Sequence, residues 1–138
     1  MKKLLIFILF CFVAVCFLSR TDFSSLASGG DYGCFNTQQG ELVYTVQGEN
    51  IYVSDSYVPS ATAEFAVFSK KDLNLNAILF RFGAVVLSRQ NIDGRDVYYC
   101  ATPKLGRFNF IGKMPVNLQI IENSNNYIVC NAIYQASF

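Results

Sequence analysis

Hydrophobic and polar positions divide the chain into three unlike parts. Lys2 and Lys3 precede an unbroken apolar run of 15 residues, Leu4 to Leu18, LLIFILFCFVAVCFL. Residues 19–36, SRTDFSSLASGGDYGCFN, then lack any periodicity and are rich in Ser and Gly. That composition reads as a linker. Beyond residue 40, short β-prone runs alternate with turn residues. Glu41–Val46 and Ile51–Val53 flank Gln47-Gly48-Glu49-Asn50, which predicts a hairpin with a four-residue loop. Ser54–Thr62 contains Pro59 and reads as a loop, and Ala63–Phe68 as a short strand.

The stretch from Ser69 to Ala101 organises the rest. Ser69 is a helix N-cap by residue type, and Asp72 three residues later suits the positive helix end. Leu75, Ile78, Leu79 and Phe82 recur three and four apart, so they share one helical face, and Leu73 and Phe80 widen it. Gly83 can take the left-handed conformation that ends a helix. A helix of about 13 residues must be held by packing. Ala84–Leu87 then starts a strand, Asp93-Gly94 is a two-residue hairpin turn, and Arg95–Ala101 returns. Val97, Tyr99 and Ala101 fall on one face of that strand, Tyr98 and Cys100 on the other.

Thr102-Pro103 stops the strand. Phe108–Ile111 predicts a short strand turned by Gly112-Lys113. Val116–Ile121 follows with Val116, Leu118 and Ile120 opposite Asn117 and Gln119. Asn123–Asn126 is a turn before a last strand, Tyr127–Tyr134. The sum is an α+β domain: one main helix packed on a mostly antiparallel, hairpin-rich sheet of five to seven strands. A single helix cannot cover both faces of such a sheet, so one face is partly wet or the sheet curls on itself. The expected organisation is residues 1–18 as signal peptide or N-terminal membrane anchor, 19–39 as flexible linker, and 40–138 as one small domain.

Composition narrows the class. The 138 residues suffice for one domain, and 52% apolar content excludes general disorder. A formal charge of +1 gives no bulk attraction to nucleic acid. The lysines before the apolar run would keep the N-terminus inside and send the rest out, giving an extracytoplasmic protein, secreted or anchored. Fifteen residues match a signal-peptide core. Extended through Ser19, the helix would still reach only about 24 Å, short of a relaxed bilayer span. Ser25-Leu26-Ala27 offers small residues at the positions a signal peptidase reads, and no lipobox precedes Cys16 or Cys34. If uncleaved, residues 4–18 make the membrane a partner.

Chemistry is sparse. The absence of His removes the usual triads, imidazole-metal sites and imidazole acid–base steps. Cys34, Cys100 and Cys130 lack CxxC spacing, so neither zinc nor thioredoxin-like chemistry is expected. Meander strand order would separate Cys100 from Cys130, so both are expected as packed, unbridged thiols. Asp93 and Asp96 flank a turn that explains Asp93 without catalysis. No Gly-rich phosphate loop is present, and no cofactor or metal is expected. The most suggestive segment is Lys104–Lys113, KLGRFNFIGK, where Lys104, Arg107 and Lys113 interleave with Phe108 and Phe110 without an acid. Such a segment can contact phospholipid headgroups, an anionic polymer or an envelope protein. The plain alternative is a solvated loop guarding an edge strand.

Two functions are therefore weighed: a non-enzymatic binding module at the cell envelope, and a small secreted hydrolase using carboxylates or a cysteine. The stretch YYCATPKL (98–105), then PVNLQI (115–120) and the terminal SF, resembles small exported bacterial proteins of the YwmB-like group. The resemblance runs from Leu73 to the C-terminus. It implies an exported α+β domain and assigns no residue a role.

Overall fold

The computed structural model describes residues 1–18, 20–36, 41–46, 49–56, 63–106 and 108–131. Within them the chain runs α1 (Lys2–Leu18), α2 (Phe23–Leu26), β1 (Asp31–Asn36), β2 (Glu41–Val46), β3 (Glu49–Ser54), β4 (Ala63–Ser69) and α3 (Leu75–Phe82). Then follow β5 (Val85–Ile92), β6 (Arg95–Ala101), β7 (Asn109–Ile111), β8 (Met114–Val116), β9 (Leu118–Glu122) and β10 (Asn126–Cys130). Eight strands form one sheet in the order β2-β3-β1-β4-β10-β9-β6-β5, and β7 and β8 form a separate two-stranded ribbon. Every pairing is antiparallel. The fold is α+β, with a helix on a hairpin-rich sheet.

The sheet is wider than five to seven strands because Asp31–Asn36, expected in a linker, is β1. It is hydrogen-bonded to β3 on one side and β4 on the other. The segment before it is also packed. Phe23, Leu26 and Ala27 are buried, with the Phe23 ring 5.5 Å from that of Phe82 and 6.4 Å from that of Tyr32. Thr21 N donates to Lys104 O at 2.8 Å. The linker of residues 19–39 is therefore replaced, over 21–36, by core structure. Cleavage after Ala27 would remove Phe23 and Leu26 from that core.

The main helix starts later than Ser69. Ser69 ends β4 and closes a turn, its carbonyl accepting from the amides of Asp72 and Leu73. Asn74 is the true cap, its Oδ1 accepting from Ala77 N at 2.8 Å. Gly83 ends the helix at φ 61°. Ile78 and Phe82 are fully buried as expected, but Phe80 is 88% exposed. At 3.6 residues per turn, position 80 lies about 200° round the helix from either of them, on the side away from the sheet.

The Asp93-Gly94 turn has φ 53° and 80°, the positive values that let two residues join β5 to β6. The β2–β3 hairpin forms as well, with Glu49 and Asn50 in strand rather than loop. Gln47 and Gly48, and residues 57–62 of the expected loop, lie outside the described residues. The Asn123–Asn126 turn links β9 to β10, Asn123 N donating to Asn126 O at 2.9 Å. Tyr127–Tyr134 is seen as strand only to Cys130, and residues from 132 lie outside the described set.

Two apolar clusters sandwich the sheet. On one face Phe68, Tyr98, Leu118, Ile120 and Val129 meet Phe23, Ile78 and Phe82 of the helices. On the other, Val97, Tyr99, Ile121, Ile128 and Cys130 meet Ile111, Met114 and Val116 of the β7–β8 ribbon. The ribbon thus supplies the cover that one helix cannot. Val116–Ile121, expected as one strand with a single face, breaks at Asn117, so Val116 enters one cluster and Leu118 the other.

At the N-terminus, α1 has 17 residues and reaches about 26 Å. Among the described residues no helix is long and apolar enough to cross a membrane.

Candidate functional site

The basic-aromatic segment leaves β6 through a locked loop. Asn117, fully buried, accepts from Thr102 N at 2.8 Å and donates to Thr102 O at 2.7 Å and Leu105 O at 3.0 Å. Thr102 Oγ1 in turn donates to Phe82 O and accepts from Lys104 N at 3.1 Å. A buried amide that meets this many backbone groups can only be accommodated where regular strand stops, which accounts for the break between β8 and β9.

Lys104 does not join the outward face. Its ammonium donates to Arg81 O at 2.9 Å, at the negative C-terminal end of α3. Arg107 lies outside the described residues. Phe108, Phe110 and Lys113 do share the ribbon. Phe110 pairs with Pro115 and Ile111 with Met114. Alternation therefore sends Ile111 and Met114 into the second core and leaves Phe110 72% exposed, with Phe108 42% exposed and Lys113 exposed at the turn. Of the five residues singled out, three thus form one surface and one is a helix cap.

A residue absent from that set lies beside the loop that leads into the ribbon. The Arg20 guanidinium lies against Gly106, so closely that a Cβ there would collide with it. The Thr21–Lys104 bond holds the two segments together. Residues 19–36 carry no periodicity, so nothing in them signals this neighbour.

The opposite end of the sheet holds a polar cleft of about 490 Å³, lined by Lys70, Gly94–Asp96 and Glu122–Asn126. Its charges are matched. Lys70 Nζ is 3.0 Å from Glu122 Oε2 and 5.2 Å from the Tyr127 ring centre. Tyr98 donates to Glu122 Oε1 at 3.0 Å, and its pKa is raised by burial and then by that carboxylate. Asp96 accepts from Arg89 at 2.7 Å, and this bond, with one from Asn91, holds its carboxyl below the usual range. Asp93 is an exposed turn residue, so Asp93 and Asp96 serve the hairpin and its cross-strand ion pair.

Cys34, Cys100 and Cys130 are buried and none is in a disulfide among the described residues. Cys34, expected in a linker, sits in β1 and donates to Ser56 O at 3.0 Å. Cys100 and Cys130 lie in opposite clusters with β9 between their strands, so no bridge can form. Burial pushes both thiols up to about 12, which leaves negligible thiolate at neutral pH. No family model, no curated protein and no solved structure matches the chain.

Proposed function

We propose that the protein is exported, stays at the membrane through α1, and acts there as a non-enzymatic interaction module that presents the β7–β8 ribbon to a component of the cell envelope. One observation carries this reading. The ribbon is fastened to the core through Ile111, Met114 and Val116, yet turns Phe108, Phe110 and Lys113 outward. Large aromatic side chains held in water on a rigid ribbon suit contact with another surface. Lys2 and Lys3 at the start of an otherwise apolar α1 support export. Kinship with the YwmB-like exported proteins belongs to the same proposal.

A C-terminal alkaline phosphatase fusion to the full chain should be enzymatically active, because that reporter folds only outside the cytoplasm. An inactive phosphatase fusion beside a bright cytoplasmic fluorescent fusion overturns the export reading.

A further inference from the structure

The eight-stranded sheet has two edges, β2 and β5. Among the described residues β5 pairs with β6 alone. Seven of its eight residues, VVLSRQNI, are exposed, Val85 at 63% and Ile92 at 44% among them. Neither apolar cluster takes in a residue of β5. The usual guards of an open edge are few. The strand holds no Pro and no Lys, its bulge is confined to Leu87, and its one charge, Arg89, is matched by Asp96 of the same hairpin at 2.7 Å. From Ser88 to Ile92 its pairing with β6 is regular. In a two-residue hairpin the residues that flank the turn, here Ile92 and Arg95, exchange both ladder bonds. Alternation then points the backbone N–H and C=O of Gln90 at β6, and those of Arg89 and Asn91 out along the open flank.

We infer that β5 is a self-association edge: two copies of this chain pair β5 with β5, antiparallel, about a two-fold axis at Gln90, and so join their sheets into one. Hydrogen bonding and charge together select this partner and this register. Only the outward-facing residues can exchange bonds across the join. Within the regular stretch, a symmetric pairing that joins them centres on Arg89, Gln90 or Asn91. Centring on Arg89 sets two guanidinium groups directly opposite each other, which is unfavourable. Centring on Asn91 overlaps residues 90–92 alone. Centring on Gln90 overlaps residues 88–92, with Arg89 opposite Asn91 of the second copy and Ile92 opposite its Ser88. Asn91 donates its Nδ2 to Asp96 Oδ1 at 3.3 Å, which leaves its side-chain carbonyl to accept from the facing guanidinium. Arg89 lies over the Tyr98 ring, so on that face the joined row runs Asp96, Asn91, then Arg89 and Tyr98 of the second copy. The two-fold axis repeats the same row in reverse. With Arg89 matched by Asp96, two such edges do not repel each other, and a strongly charged partner finds no field to follow. The contact is small, so the dimer is weak and concentration-dependent. The inference stands apart from the export and tether readings.

The full-length chain in detergent is followed by sedimentation velocity from about 1 to about 100 μM, where a weak pair assembles. The sedimenting species should pass from monomer to dimer across that range. Gln90→Cys, in a background with Cys11 and Cys16 of α1 replaced by Ala, should give a disulfide-linked dimer on mild oxidation. Gln90 would face its own copy at a pair with Cα atoms about 4.5 Å apart, within reach of such a bond. Ser124→Cys in the same background is exposed in the β9–β10 turn and should stay monomeric. Gln90→Glu sets two carboxylates on the axis and should raise the dimer dissociation constant about fivefold, the upper end for one like-charged cross-strand pair. Added salt should recover part of that loss. Gln90 is exposed, so the far-ultraviolet circular dichroism of the variant should match that of the parent at low concentration. A monomer at every concentration overturns the inference. A dimer without the Gln90→Cys link overturns it as well, and moves the contact to another surface such as α1. Equal linkage at positions 90 and 124 reads as random collision and overturns the pairing too.

Discussion

Asn117 shows how much one side chain can decide. Its amide ties Thr102 and Leu105 to β9, while Thr102 ties the same loop to α3. Asn117→Ala would strand one donor and two acceptors in the interior. The expected loss is about 3 kcal/mol in urea melts, within the range for buried unpaired polar groups. The buried thiols give a second expectation. Cys100 and Cys130 have an ordinary value of 9.0 and are pushed up to about 12 by burial. The folded state therefore holds these protons more tightly than the unfolded chain. Their contribution to stability is complete below pH 9.0 and is lost as pH rises towards about 12. Each thiol weakens the fold by up to about 1.4 kcal/mol per pH unit across that window. Urea midpoints taken at about pH 8 and about pH 10.5 should fall for the parent protein and fall less for the Cys100→Ala, Cys130→Ala variant. Residue roles set by local chemistry are legible in the sequence, as with Ile78, Phe82, Gly83 and the Asp93-Gly94 turn. Ser69 misleads because Asn74, five residues on, competes for the same capping role and wins. Nothing local reveals that Lys104 reaches back to Arg81.

Elements are legible where their own side chains bury in a regular pattern. β4 falls close to where its β-prone run puts it, while the β5–β6 hairpin is legible from the Asp93-Gly94 turn, since β5 is exposed along nearly all its length. β1 is not legible, because its cohesion comes from its neighbours. Gly33 has no side chain to show a pattern, and the Phe65 ring from β4 fills the space over it. α2 is four residues long, too short for periodicity, yet it places Phe23 against Phe82 and Tyr32. Phe23→Ala should therefore cost about 3–5 kcal/mol in denaturant melts, as core aromatic truncations do. A loss below about 0.5 kcal/mol would return residues 19–30 to the status of a linker. The candidate surface divides the same way. Phe108, Phe110 and Lys113 stand out in the sequence, whereas the place of Arg20 against Gly106 comes only through the backbone pairing of Thr21 with Lys104.

At the scale of the whole molecule, the sheet has a wet, charged end, and the N-terminal helix departs from the other. Strand order produces this arrangement. β1 enters the middle of the sheet, so the chain before it must approach over the helix-covered face. The same order has a mechanical side. Any pull on α1 reaches the domain first at the Thr21–Lys104 bond and the Phe23 contacts, and then along β1. β1 is bonded to β3 on one flank and β4 on the other. Asp31, the first residue of β1, pairs with Val67 at the cleft end, so a pull from the α1 end must first strip α2 from the helix-covered face before it reaches that strand. The contacts of Thr21 and Phe23 thereby act as a fuse, yielding before the paired strand behind them is loaded.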